Sequence, residues 1–368
     1  MDTKDFRRKM HKYPERAGME QTTSELIVQE LESAGIAFKK LGGNTILASI
    51  EGRRGNLERC VVLRANMYAL AVEEMTGVEY SSQNEGVMHA CGNDLNMAVV
   101  MGVLKRLQQS RDFEGTLLAL FQSGCDCRCS GAREVVAGNP FEGYKVAAVL
   151  GESLNPDLQV GEIGFCPGKF MASVDGLRFV VRGMGGCSAL RQRVNDPVVA
   201  LADLVMRLNA FNSDVCVVSV GKVVADGSMD RIPDTASCEG VMRTFDEKLR
   251  QRVKDMMLGA VQEIEYKYDV EIESQFDDES PCVENDKHLS YEAMLQADSH
   301  GFKVVDLERS FMKDDFGCYA QLYPSLLYHL GVGRESGSIN SSTFLPDEKA
   351  LEVGEEFMSQ LALNILNR

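Results

Sequence analysis

Histidine is scarce in this chain: its 368 residues include only His11, His89, His288, His300 and His329. Imidazole is the commonest protein ligand for transition metals, so a site built on several histidines has few residues to draw on. Positive charge is also short. The chain has 39 Lys and Arg against 55 Asp and Glu, a formal net charge of −16. That balance argues against nucleic acid, which needs a basic face to meet phosphates, and disfavours anionic membrane surfaces. No apolar run approaches the roughly 18 residues of a membrane-spanning helix. The opening stretch MDTKDFRRKMHKYPE lacks the charged-then-apolar pattern of a secretory signal. The expectation is a soluble cytoplasmic protein with neither a membrane nor a nucleic acid as partner. No internal repeat or low-complexity tract is visible.

What is present suits a globular fold. Hydrophobic residues make up 44% and charged residues 26%, enough for a sizeable core, and the length allows two domains. Eleven cysteines are too few here for a disulfide scaffold and read as buried small hydrophobes, ligands or reactive thiols. Cys60, Cys216 and Cys238 lie in strand-like apolar runs and fit the first role. Cys125, Cys127 and Cys129, in CDCRC around Asp126, read as a loop carrying a thiol cluster.

Periodicity divides the chain. QTTSELIVQELESAG carries apolar positions at helical spacing and stops at Gly35. RCVVLRANM, GTLLALFQSG and KVAAVLGES read as strands, separated by helices over 97–110 and from GAREVVAG. Strands alternating with helices indicate an α/β domain on a largely parallel sheet. Polar residues gather just after the strand ends, where such sheets form their sites. From about residue 175 the order becomes βαββαβ, a ferredoxin-like unit, with DDESPCVEND as the linker back. The expected organisation is a discontinuous α/β domain, 1–174 and 281–368, with an inserted domain at 175–280. EKALEVGEEFMSQLALNILN reads as a closing amphipathic helix.

One stretch raises the chemical question. HACGNDLN, residues 89–96, has the layout of a metal-ligand loop at a strand-to-helix junction, yet asparagines stand where histidines would serve. Gly92 fits a tight turn. Asp94 suits either a place beside the ligands or a cap for the next helix.

Ten motifs in order give the chain a resemblance to a known family. They are FRRKMHKYPE, VVLRANMYAL, GVMHACGND, FQSG…GA, GFCPGKFMAS, VRGMGGCS, VVSVGKV, RIPDTASCEGVMRTFDEKLR, DDFGCYA and FLPDEKALEVG. The chain resembles the M20 metallopeptidase clan, in particular its amidohydrolases of N-acyl amino acids, hippurate and auxin conjugates. The resemblance implies an α/β catalytic-type domain with an inserted lid or dimerisation domain, hence a homodimer, with GLRFVVRG as the edge for strand pairing. It also implies two divalent metals, a Glu base acting on a metal-bound water, and a supporting DMD motif.

The residues at those positions differ. Cys91 remains, but Asn93 and Asn96 replace histidines. Cys125 takes the base position and Asp126 the adjoining ligand position. Ser153 and Asn340 stand for two further histidines, and DMD has become Asn66 and Tyr68. Cys187 replaces the lid-domain His. His11 and His89 fall at motif positions that are not ligands. A catalytic zinc site needs about three ligands drawn from His, Glu, Asp and Cys, and a general base needs a tuned carboxylate. The expectation is a degenerate metal site, no cofactor, and a non-hydrolytic ligand-binding or scaffold homologue.

Two alternatives stand beside it. One is an amidohydrolase or peptidase with altered ligands. The other is a thiol-based site, or zinc or another soft metal held by Cys91, Cys125 and Asp126. For recognition, Arg243 matches the family's carboxylate-binding Arg, or else is an outward strand Arg paired with a surface acid. Asp230 stands where the family has Asn. The expected partner is a small molecule, such as a carboxylate-bearing amino acid derivative.

Overall fold

The computed structural model describes residues 1–124 and 131–368, apart from the side chains at 278 and 279. The chain opens with helices α1 (Thr3–Lys12) and α2 (Gln21–Ser33) and strands β1 (Ala37–Lys40), β2 (Ile46–Glu51) and β3 (Arg59–Asn66). Then come α3 (Asn93–Ser110), β4 (Thr116–Gln122), a short helix Gly131–Ala137, β5 (Lys145–Asn155) and β6 (Glu162–Phe165). The middle of the chain holds β7 (Ser173–Arg182), α4 (Pro197–Asn209), β8 (Cys216–Ala225), β9 (Thr235–Thr244), α5 (Glu247–Tyr268) and β10 (Glu271–Ser280). It closes with α6 (Lys287–Ser299), β11 (Lys303–Asp306), β12 (Ser325–Gly331) and α7 (Ala350–Leu366). Two compact units result. One comprises Met1–Gly168, Glu284–Glu308 and Cys318–Arg368; the other comprises Lys169–Val283 and Arg309–Gly317.

The first unit is an α/β fold around an eight-stranded sheet of order β1-β2-β4-β3-β5-β12-β6-β11. Its centre is parallel, with β3 pairing β4 and β5, and β5 pairing β12. Strands covered on both faces need continuous apolar runs rather than alternation. VVLRA and TLLALFQ supply them, and every residue of β4 is buried. Helix α3 lies against α1, α7 and β3, and its apolar residues Val99, Val103 and Leu104 join Leu63, Leu117, Phe121 and Phe357 in one core.

The spacing of apolar residues starts α3 at 97, but the helix begins four residues earlier, at Asn93. That extra turn is polar except for Leu95, which joins the core, and its polar side chains are held by tertiary partners. Gly92 precedes it at φ +77, and a Cβ there would lie 2.2 Å from Leu154 Cδ1. Only glycine fits this turn without strain.

The second unit has the expected βαββαβ order, with a four-stranded antiparallel sheet β8-β9-β7-β10. Helices α4 and α5 pack together on it, around Phe179, Leu204, Met242, Met257 and Ile264. Two expectations are corrected. GLRFVVRG lies in β7, which pairs along its length with β9 and β10, so it is interior and not an edge. The edges of this sheet are β8 and β10. The first residues of DDESPCVEND extend β10 to Ser280 instead of forming a linker.

Candidate functional site at the strand ends of the first unit

The carboxyl ends of β3 and β5 and the first turn of α3 gather most of the residues expected at the site. Asn66 ends β3 and is 5% exposed. Asn93 Nδ2 donates to the Tyr68 carbonyl at 2.8 Å. Asn96 Nδ2 donates to the Glu152 carbonyl at 3.2 Å, one residue before Ser153 on β5. The Asn340 backbone N–H donates to the Ala90 carbonyl at 2.9 Å, which ties its loop to the turn carrying Cys91. Asn340 is exposed and adopts a left-handed φ of +66, a conformation asparagine tolerates better than most residues. Cys91 is half-buried and outside any disulfide. The structure therefore brings together Asn66, Tyr68, Cys91, Asn93, Asn96, Ser153 and Asn340. Cys125, Asp126, Cys127 and Cys129 lie outside the described residues.

These asparagines present carbonyl oxygens. A backbone carbonyl can only accept, so Asn93 and Asn96 must turn their NH2 groups toward it and their Oδ1 atoms away. Among the described residues, Asn66 Oδ1 and Asn96 Oδ1 are buried without a hydrogen-bond partner.

Directly behind this turn lies a network that sequence reasoning missed. Asp94 is committed to α1. Its Oδ2 accepts from Arg7 Nε at 3.1 Å and meets His11 Nδ1 at 3.0 Å. His11 Nε2 reaches Glu74 Oε1 at 3.1 Å, and Glu74 Oε2 accepts from Ser82 N at 2.7 Å. Arg7, His11 and Asp94 are all buried. Burial alone would lower the His11 pKa, but Asp94 and Glu74 outweigh it and raise the value to about 9. The imidazolium is therefore the resident form at neutral pH.

Burial works against ionised Asp94 too, but Arg7 and His11 hold its carboxyl well below the usual range. His89 packs beside His11, with ring centroids 6.4 Å apart, and burial pushes its pKa down to about 4. The available signal was Arg7 and His11 at i,i+4 on α1, the same face as the buried Phe6 and Met10.

A further buried carboxyl, Glu152, is raised by desolvation to about 8 and accepts from Tyr328 OH at 2.9 Å.

In the second unit Cys187 and Asp230 are neighbours. Cys187 pairs with Arg231 across a two-residue ladder, and Ser188 N donates to the Asp230 carbonyl at 2.9 Å. Arg243, on β9, is half-buried and donates to the Phe311 carbonyl at 2.7 Å. Among the described residues it has no ion-pair partner, against its alternative reading as a surface ion pair.

A mostly parallel sheet with polar groups at its strand ends, and a βαββαβ unit inserted in the chain, define an α/β architecture. The family model for Peptidase family M20/M25/M40 matches residues 62–364, and the chain belongs to this family. It is 31% identical to the N-acetylcysteine deacetylase of Bacillus subtilis (strain 168), covering 98% of this chain and 96% of that one. It is 28% identical to the N-acetyldiaminopimelate deacetylase of Exiguobacterium sibiricum, covering 94% and 95%. Among solved structures it resembles a dinuclear metal-binding M20 peptidase from Bacillus subtilis, with TM-score 0.88, 30% identity and coverage of 99% and 97%.

That dinuclear relative overturns the expectation of no cofactor: the family context points to metal ions. The described residues do not themselves form a fitting donor set. Among them, no group of three or more His, Cys, Asp or Glu is placed to hold a metal ion. Cys91 offers a thiolate, but neutral amide oxygens are poor transition-metal ligands. Among the described residues, no helix is long and apolar enough to cross a membrane.

Proposed function

We propose that this M20 protein binds an N-acyl amino acid or a similar small amide at the strand ends of its first unit, and that the family's water-activating chemistry there is disabled. The observation carrying this reading is the commitment of Asn93 and Asn96 to backbone carbonyls. Side chains at positions expected to ligate metal instead stitch the turn to its neighbours. The names of the relatives suggest N-acetylcysteine and N-acetyldiaminopimelate as first ligands to try. Arg243, whose guanidinium suits a carboxylate, is the proposed carboxylate-recognising group of its own unit, with Asp230 and Cys187 as further candidates there.

A second reading is favoured by the dinuclear relative: an amidohydrolase with altered ligands, its metal held by Cys91, Asp126 and amide oxygens. A homodimer formed along the β8 edge, whose outer half is exposed, belongs to the proposal, as does a cytoplasmic location, which suits the many free thiols.

The test combines metal content per chain with two assays on a panel of N-acetyl amino acids, supplied with Zn²⁺ or Mn²⁺. Ligand-dependent stabilisation without acetate release supports the binding reading. Acetate release that tracks bound metal supports the altered hydrolase and ends the binding reading.

A further inference from the structure

We infer that the strand-end site takes the N–H donors of a neutral carboxamide directly on Asn66 Oδ1 and Asn96 Oδ1. This inference rests on the ligand-binding reading above and specifies the ligand's chemistry. Asn66 and Asn96 are 5% and 6% exposed, and neither Oδ1 has a hydrogen-bond partner among the described residues. A buried acceptor left unpaired is costly enough to need a donor from somewhere. The two sites belong to neighbouring strand ends. β3 and β5 run parallel with Arg64 opposite Gly151; Asn66 follows two residues on, and Asn96 holds the Glu152 carbonyl. The Asn96 orientation is dictated, because that carbonyl cannot donate.

The electrostatics select among donors. A carboxylate or phosphate would set lone pairs against lone pairs. An ammonium ion would sit at the N-terminal turn of α3, whose dipole disfavours cations. Asp94, the charge that might offset this, is already engaged by Arg7 and His11. A neutral N–H carries neither penalty. It also discriminates strongly, since a ligand lacking the donor leaves a buried acceptor unpaired.

The experiment is calorimetric titration of the full chain, with its metal content measured, using two near-isosteric probes. One is N-acetyl-L-alanine methylamide. The other is methyl O-acetyl-L-lactate, in which oxygen replaces each N–H. The amide is expected to bind at least about tenfold tighter, consistent with one or two rescued acceptors. That preference should shrink in Asn96→Leu, which leaves the Asn66 oxygen in place, and vanish when Asn66→Leu is added. Asn66→Leu serves as the parallel variant should Asn96→Leu fail to fold.

Equal affinity for the two probes, as expected if ordered water satisfies both oxygens, overturns the inference and leaves the binding reading standing. Amide binding that appears only with a stoichiometric divalent ion also overturns it. Failure of both probes, and of N-acetylalanine, removes the binding reading and the inference together.

Discussion

Asn93 and Asp94 are adjacent in the chain, yet they belong to two differently built regions. Behind the turn, Asp94, Arg7, His11 and Glu74 make a buried network of charges in which each ion has an opposite partner within 3.1 Å. In front of it, Asn66, Asn93 and Asn96 are neutral. Among the described residues Asn66 Oδ1 and Asn96 Oδ1 have no partner. On the charged side Asp94 Oδ1 and Arg7 Nη2 have none either, though each of those ions is paired through another atom. Buried charges are tolerated only when paired, and removing one partner is far costlier than the pair is worth. Unpaired neutral oxygens cost less and remain available to a ligand. The first region fixes where the turn sits. The second holds two neutral oxygens that, under the proposed reading, a ligand's donors would satisfy.

The largest effect should come from breaking the charged side. Asp94→Asn keeps the shape and removes the charge, leaving Arg7 and the His11 imidazolium facing one another. The expected loss is about 3–5 kcal/mol, read by urea unfolding followed by far-UV circular dichroism. A loss under 1 kcal/mol would mean that the network is not organised around Asp94.

The pH dependence is somewhat smaller and has a definite sign. The His11 pKa is raised from 6.5 to about 9 on folding. Its contribution is therefore fully present below pH 6.5 and is lost as pH rises through 9. The magnitude is about 3 kcal/mol by linkage. Unfolding midpoints at pH 6, 7.5 and 9.5 should fall accordingly in the parent chain. In His11→Gln the fall across this window should be largely abolished; an equal fall in both would assign it to other groups.

The two regions were not equally legible in the sequence. The strand-end positions could be read because turn chemistry and motif order are local. Gly92, Asn93 and Asn96 announce a strand-to-helix junction, and the junction is there. The network could not be read in the same way. Arg7 and Asp94 are 87 residues apart, and His11 and Glu74 are 63 apart. The helical spacing in FRRKMHKYPE sets Arg7 and His11 beside Phe6 and Met10, but it does not say which distant carboxylates meet them. The misassigned edge at GLRFVVRG has a related cause. From Leu177 onward burial along β7 alternates, with Leu177, Phe179 and Val181 buried and their neighbours more exposed, as it would in an edge strand or an interior strand of an antiparallel sheet with one covered face. Only the pairing of β10 on its far side distinguishes the two.

The turn between the regions offers the next test. Gly92→Ala places a Cβ against Leu154 at a backbone φ that disfavours side chains. The expected cost is roughly 2 kcal/mol or more, combining left-handed strain with overpacking. Because the turn carries Cys91 on one side and Asn93 on the other, ligand affinity should fall with stability. A stable variant with unchanged affinity would detach the turn from the site.

The smallest effect sharpens the comparison most. Asn96→Leu removes one hydrogen bond to the Glu152 carbonyl, which destabilises, and one orphaned buried oxygen, which stabilises. These terms are each of order 1 kcal/mol and oppose one another, so folding stability should change by less than about 1 kcal/mol. Asp94, two residues away on the same helix, is expected to cost several times more. A near-neutral Asn96→Leu that weakens amide binding would mark the amide side as serving ligand rather than fold. A loss as large as that of Asp94→Asn would erase the distinction, because the amides would then be structural stitches like the ions behind them.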